Sequence, residues 1–238
     1  MNRTVLIPEY PSTSGGGRCG RHVNHDPRSK NYPVTASSSP LTSVTHARHV
    51  PIYDQGDLGS CVPHAGKGVL STAPFTHRYT SEPGIVKTYE QLTAVDDVPG
   101  YYKPGDPASQ DTGSDGLSFA KYAATKGWCS RYLHAFSITA MLTALQTTPV
   151  MCGTSWLTGM DDPDPSGLVT VAGESRGGHE YEAFAYLMRG TVRDDTEDLI
   201  GFCNSWGIGW GAAGRFYVTV SQYAGLLAQD GDVTVLIP

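Results

Sequence analysis

Four residues in this sequence are of the types, and stand in the surroundings, that nucleophilic acyl transfer requires. Cys61 closes the run Gln55-Gly56-Asp57-Leu58-Gly59-Ser60-Cys61, His179 follows Gly177-Gly178, and Asn204 opens Asn204-Ser205-Trp206-Gly207. A thiol attacks as its thiolate. A free cysteine titrates near ~8.5, and a helix N-terminus or a neighbouring imidazolium lowers that value. An imidazole whose tautomer is held by a third group can take up the proton and return it. Gln55 lies six positions before Cys61, and its amide N–H is suited to face the oxyanion of a tetrahedral intermediate. In chain order the four are a donor, a nucleophile, a base and an orienter for the base.

The elements around them are of the kind that position such groups. Gly59-Ser60 permits a tight turn, and residues 61–72 read as a helix with Cys61 in its first turn, where the dipole and unpaired amides favour an anion. Pro63 suits that turn. Gly66 and Gly68 each weaken an isolated helix by roughly 1 kcal/mol, so this helix requires burial, and close packing is what the glycines allow. Residues 88–95 suggest a short helix and 96–116 turns. Residues 117–126 form an amphipathic helix stopped at Gly127, and 138–146 a helix capped by Ser137. From residue 149 the pattern becomes β-branched, aromatic and broken by Gly or Asp, which predicts strands. His179 opens one of them, and the glycines before it leave room for a substrate backbone. Asn204 ends another, with Trp206 placed to shield a His–Asn hydrogen bond from water. Helices first and strands later predict an α+β fold with two lobes.

Composition narrows the partners. The 238 residues are 39% apolar and 17% charged, with a net charge of −6 and no run of Lys or Arg. This is a globular chain without the clustered basic patch that nucleic acid requires. No stretch of 18 or more apolar residues offers a membrane span. The first residues lack the apolar run of a secretory signal, so the expectation is a protein cytoplasmic at synthesis, with all five cysteines reduced. Cys152 and Cys203 read as small buried hydrophobes. Residues 11–20 read as a flexible Gly/Ser linker and residues 27–50 as an extended arm over the surface. The pairs His22/His25 and His46/His49 have HxxH spacing but lie in loops without further ligands. Neither a metal nor a cofactor is expected.

The blocks DQGDLGSC, GGH and NSWGIGWGAAGRFYV resemble the three signature blocks of papain-like (C1 family) cysteine peptidases, over roughly residues 50–220. The form YDQG-x-LGSC, followed by small and polar residues, is most similar to the bacterial and phage-type branch. The resemblance implies a papain-like two-lobed fold. A flexible segment 1–20 would precede a single domain, 21–238. Its helical lobe would span about 50–135 and its antiparallel β-barrel-like lobe about 136–238, with the cleft between them. It also implies the roles: Cys61 the nucleophile, His179 the base, Asn204 its orienter, and Gln55 with the Cys61 N–H the oxyanion donors. The chain departs from papain at Leu58, where papain has a disulfide cysteine, and at Val62, where it has Trp. The glycine-rich, cysteine-containing turn that helps bind substrate is replaced by residues 111–116, DTGSDG. No long helical inhibitory segment is visible.

By the same resemblance Asp115, Gly116, Gly178, Glu180 and Trp206 would bind substrate. Asp115 and Glu180, two acids at the substrate rim, suggest a preference for cationic side chains. The run Arg21-His22-Val23-Asn24-His25-Asp26-Pro27-Arg28-Ser29 resembles the arm that precedes the catalytic block, and it would anchor that arm across the lobes. The Gly-rich hinge at 15–17 raises the hypothesis that residues 1–50 block the cleft. The implied activity is that of a monomeric endopeptidase cutting peptide bonds through a thioester. It would be phage-encoded and act in lysis or protein processing, with cell-wall peptide among the candidate substrates. The alternatives are a catalytically silent binding or scaffold protein of this fold, and an acyltransferase using the same residues.

Overall fold

Two long strands, buried along almost their whole length, organise the molecule. The computed structural model describes residues 3–5, 7, 17–188 and 197–238. β1 (Arg3–Val5) and β2 (Val23–His25) form a small antiparallel ribbon, and β3 (Val44–Thr45) follows. Next come α1 (Cys61–Leu70), α2 (Glu82–Thr93), α3 (Gly116–Thr125), β4 (Arg131–His134) and α4 (Ile138–Leu145). The remainder is β5 (Val150–Leu157), β6 (Ser175–Leu187), β7 (Leu199–Cys203), β8 (Arg215–Thr219), α5 (Val220–Leu227) and β9 (Asp232–Ile237). The large sheet has the order β4-β9-β5-β6-β7-β8, with antiparallel neighbours, and β3 pairs with β6 where β5 no longer does. The fold is α+β, as expected. The barrel-like lobe is corrected: β4 and β8 end the strand order and do not pair with each other, so the sheet is not closed.

Helices cover both faces of β5 and β6, which accounts for their nearly unbroken burial. Alternate residues serve different cores. Val150, Cys152, Tyr181 and Ala183 pack with α4 and α5, whereas Met151 joins Val62, Val69, Phe119 and Ala120 of α1 and α3. On β6 the residues between, Glu180 and Glu182, share the side of Met151 and bring two carboxylates into the interior. Cys152 and Cys203 are buried, and burial pushes the Cys203 thiol up to about 12.

The expected helices over 61–72, 117–126 and 138–146 are α1, α3 and α4. Ser137 accepts from the N–H of Ala140 as the cap of α4. α2 starts well before residue 88, because Ser81 caps it through the N–H of Gly84 and Pro83 occupies its first turn. β4 and α5 are additions. α5 grows out of the apolar run of β8 once Thr219 supplies a cap to Gln222. Residues 27–50 hold a short 3-10 helix, Pro27–Asn31, as well as β3. Residues 11–16 of the expected linker lie outside the described residues. Among the described residues no helix is long and apolar enough to cross a membrane.

All ten residues of α1 are buried, and its glycines are sites of close approach. A Cβ on Gly66 would stand 2.1 Å from Cε1 of Phe119, and one on Gly68 would stand 2.7 Å from both the Arg48 guanidinium and the Glu182 carboxylate. Gly66→Ala should therefore destabilise the protein by about 1–3 kcal/mol, despite the better helix propensity of alanine. Urea denaturation of the two proteins checks this; an unchanged or higher midpoint would contradict it.

Candidate active site

Cys61 is the first residue of α1, and α1 packs against β6, which carries His179. Both side chains are fully buried. The His179 ring is held from two sides. Its Nε2 lies 2.7 Å from Oδ1 of Asn204, and Trp206 stacks on the ring with centroids 4.7 Å apart. The Asn204 Oδ1 also accepts from the N–H of Ser205 at 2.8 Å, which fixes the amide so that its oxygen faces the imidazole. Nε2 is then the protonated nitrogen of the neutral ring, and Nδ1 is left with its lone pair and no hydrogen-bond partner among the described residues. Trp156 adds an edge contact to His179 at 5.1 Å. The cluster of Trp156, Trp206, Trp210 and Phe216 thus forms an apolar wall behind the base.

Burial pushes the pKa of His179 down to about 3, with Arg176 and His64 acting in the same direction against the bond to Asn204. The imidazole is neutral in this state of the molecule. A histidine whose folded pKa is depressed binds fewer protons folded than unfolded. Its contribution is fully present above about 6.5 and is lost as the pH falls toward 3.

Gln55 is fixed at both ends of its amide. Its Oε1 accepts from the Ser205 hydroxyl at 2.6 Å, and its Nε2 donates to the Leu58 carbonyl at 2.6 Å and to the Arg18 carbonyl at 3.0 Å. The second acceptor is unexpected, because it belongs to the N-terminal segment. Residues 17–22 run between the loops 55–59 and 111–114 on one side and the Gly178 end of β6 on the other. The N–H groups of Gly20 and Arg21 donate to the Gly178 carbonyl at 3.0 and 2.9 Å. The Ser114 N–H donates to the Gly20 carbonyl at 2.9 Å, and the His22 N–H to the Ser114 carbonyl at 2.8 Å. Arg18 reaches Asp111 at 2.5 Å, and Gly17 lies against the Trp206 ring. What remains open beside this segment is a cavity of about 170 Å³.

The structure brings Gln55, Gly178 and Trp206 against this segment, joins His179 to Asn204 beneath Trp206, and places Cys61 at the start of α1. Asp115, Gly116 and Glu180 lie one layer deeper. The two acids are 1% and 0% exposed, so they are not at a solvated rim. Asp115 instead caps α3 through the N–H and hydroxyl of Ser118. Burial pushes Glu180 well above the usual carboxylate range, the Asp232 charge adds to this, and Arg21 opposes it. Of the four HxxH histidines, His22 bonds the Thr112 carbonyl, His46 that of Leu145 and His49 that of Phe75, each through Nε2. His25 faces Asp230 at 3.9 Å. Sequence reading missed Ser205, Trp156, Asp232 and Arg176, which pairs with Asp161 at 2.6 Å and donates to the Gly17 carbonyl at 3.1 Å. Ser205 was within sight, as the residue beside Asn204; the others are remote from every motif.

No protein-family model matches this chain, and no curated protein does. Solved structures do. Xylellain, a cysteine protease from Xylella fastidiosa, is similar over 97% of this chain and 98% of its own, at 17% identity and a TM-score of 0.58. Procathepsin B S9 from Trypanosoma congolense covers 92% of this chain and 86% of its own, at 9% identity and a TM-score of 0.61. The bromelain protease of Ananas comosus, in complex with the E64 inhibitor, covers 79% of this chain and 93% of its own, at 13% identity and a TM-score of 0.53. The chain has the papain-like cysteine protease fold.

The depressed pKa of His179 has a measurable consequence. Between pH 7 and pH 4 the wild type should lose roughly 3 kcal/mol more unfolding free energy than His179→Gln, which cannot take up that proton. Denaturant titration of both proteins at the two pH values checks it; parallel losses would mean that the imidazole is not held neutral.

Proposed function

We propose that the protein is a papain-like cysteine endopeptidase with Cys61 as nucleophile, His179 as base, Asn204 as orienter and Gln55 as oxyanion donor. The observation that carries this reading is that the chain's own segment 17–22 is held by Gln55 and by the Gly178 carbonyl, next to His179 in the chain. One carbonyl of residues 17–22 lies on the Gln55 amide, and the N–H groups two and three residues on bond the carbonyl beside His179. A cleft that receives a main chain in this way is suited to a peptide substrate. The Cys61 sulfur would add to the scissile carbonyl carbon as its proton passes to Nδ1 of His179. The oxyanion would be held by the Gln55 amide and the Cys61 N–H. Collapse breaks the C–N bond, His179 protonates the leaving amine, and a thioester remains. Water, giving a proton to His179, then hydrolyses the thioester and restores the thiol.

The bacterial and phage-type branch is the finer part of the proposal. It is supported by the form YDQG-x-LGSC and by end-to-end likeness to one bacterial cysteine protease. A role in lysis or protein processing would follow from it, with purified peptidoglycan as the substrate that tests the lytic role. The domain reading, a single peptidase domain over 21–238, belongs to the same proposal. One observation favours a second reading, a silent binding protein of this fold: the cleft is filled and His179 has no exposed surface.

Hydrolysis of a mixed fluorogenic peptide library under reducing conditions separates these readings. The wild type should cleave and Cys61→Ala should not. Gln55→Ala should lower kcat by about 10²–10³, the usual loss for one oxyanion donor. Equal hydrolysis by wild type and Cys61→Ala would remove the proposed nucleophile. Absence of hydrolysis together with no alkylation of Cys61 by iodoacetamide would favour the silent protein.

A further inference from the structure

α1 starts without the side-chain cap that its sequence offers. Ser60 stands at the N-cap position, but its hydroxyl is buried and makes no hydrogen bond among the described residues. The helices α2, α3, α4 and α5 differ: Ser81, Asp115, Ser137 and Thr219 each accept from the N–H three residues on. What holds the first turn of α1 is His64. Its Nδ1 lies 2.7 Å from the Ser60 carbonyl oxygen, which also accepts from the His64 backbone N–H at 3.2 Å. Its Nε2 lies 3.0 Å from the carboxylate of Glu82, the first residue of α2. The ring is buried and meets Tyr53 edge-on, with centroids 6.0 Å apart.

These partners fix the protons of the ring. A carbonyl oxygen accepts and never donates. Burial pushes the Glu82 carboxyl up, but the bonds from His64 and from the Asp54 N–H outweigh it and leave its pKa below the ordinary value. Glu82 is therefore ionised and also accepts. Both ring nitrogens must then donate, so His64 is an imidazolium in an ion pair with Glu82. With neither lone pair free, it cannot serve as a second base for the Cys61 thiol.

Its effect reaches the site through the backbone. The Ser60 carbonyl and the Cys61 N–H are the two ends of one planar peptide group. A hydrogen bond to the oxygen fixes the tilt of that plane and with it the direction of the N–H. A charged donor binds the oxygen roughly twice as strongly as a neutral one. It also polarises the group and makes the N–H a stronger donor, because linked hydrogen bonds reinforce one another.

We propose that His64 is a positioning residue of the oxyanion site: through the Ser60–Cys61 peptide it aims and polarises the Cys61 N–H, and Glu82 keeps it charged for that task. This rests on the peptidase reading and gives its oxyanion site two supporting residues that lie outside the three sequence blocks.

The test separates this role from packing alone. His64→Leu keeps most of the buried volume but no donor. Its kcat should fall about 10-fold with KM nearly unchanged, less than the 10²–10³ for outright loss of a donor, because the N–H remains but is no longer aimed. His64→Asn, whose amide nitrogen stands where Nδ1 stood, should recover most of that loss. Nitrogen NMR of the full chain reads the same contacts without turnover. At pH 6 both His64 ring nitrogens should carry protons, and Glu82→Gln should leave a proton on Nδ1 alone. His64→Leu should move the Cys61 amide nitrogen upfield. Should His64→Leu fail to fold, Glu82→Gln changes only a partly exposed side chain and carries the kinetic test, with kcat lowered about threefold. A singly protonated His64 in the wild type, or variants whose kcat equals that of the wild type, overturns the proposal and leaves His64–Glu82 a structural ion pair. If the imidazolium and the Cys61 shift are seen in a chain that neither cleaves peptides nor alkylates at Cys61, the brace on the peptide stands and the peptidase reading falls.

Discussion

The structure depends on how β6 accommodates two carboxylates where a strand would ordinarily bury apolar side chains. Because side chains alternate, His179 and Tyr181 stand on one side of this strand and Glu180 and Glu182 on the other. Taking an ionised carboxylate out of water costs several kcal/mol even after relaxation, so a buried acid keeps its proton or is offset by a cation. Both cations come from the first fifty residues, Arg48 to Glu182 and Arg21 toward Glu180. The N-terminal segment is therefore bound to the sheet by charge as well as by hydrogen bonds. Its path through the cleft follows from where those acids sit.

Backbone must come very close to backbone for such a path to exist. A Cβ on Gly178 would lie 2.1 Å from the Arg21 carbonyl oxygen, and one on Gly20 would lie 2.2 Å from the Gly59 carbonyl oxygen. Glycine faces glycine or a bare carbonyl on each side of the threaded segment. The same clearance that admits residues 17–22 is what an extended substrate requires. The glycines before Cys61 and before His179 thus serve the segment seen in the cleft and the substrate proposed for it.

The four candidate catalytic residues were legible because each sits in a short contiguous block whose neighbours have local jobs: a tight turn before Cys61, clearance before His179, a shielding ring after Asn204. Most elements were legible for a similar reason, since caps such as Ser137 and β-branched runs act within a few residues. The cluster around the buried Arg21, which bonds Asp232 and the Asp230 carbonyl beside Glu180, was not legible. Its parts come from positions 21, 116, 153, 180 and 232, on five separate segments, and no spacing rule connects them. Glu180 and Asp115 were noticed, but burial depends on tertiary packing, so a reading of charge alone put them at the rim. Closure of the sheet was likewise out of reach, because it depends on whether β4 and β8 meet, a pairing between residues far apart in sequence.

The covered cleft and the buried base are two aspects of one state. With residues 17–22 in place His179 has no contact with solvent, and desolvation keeps its imidazole neutral. A thiolate–imidazolium pair is the charged alternative, and charge separation is disfavoured where water is excluded. Withdrawing the segment admits water to the base and at the same time vacates the acidic pocket filled by Arg21. Under the proposed function these two changes are linked. A ligand that binds only the uncovered state shifts the population toward it by its own binding free energy. A peptide that takes the place of residues 17–22 gains that energy, so under this reading binding the substrate and uncovering the base are one event.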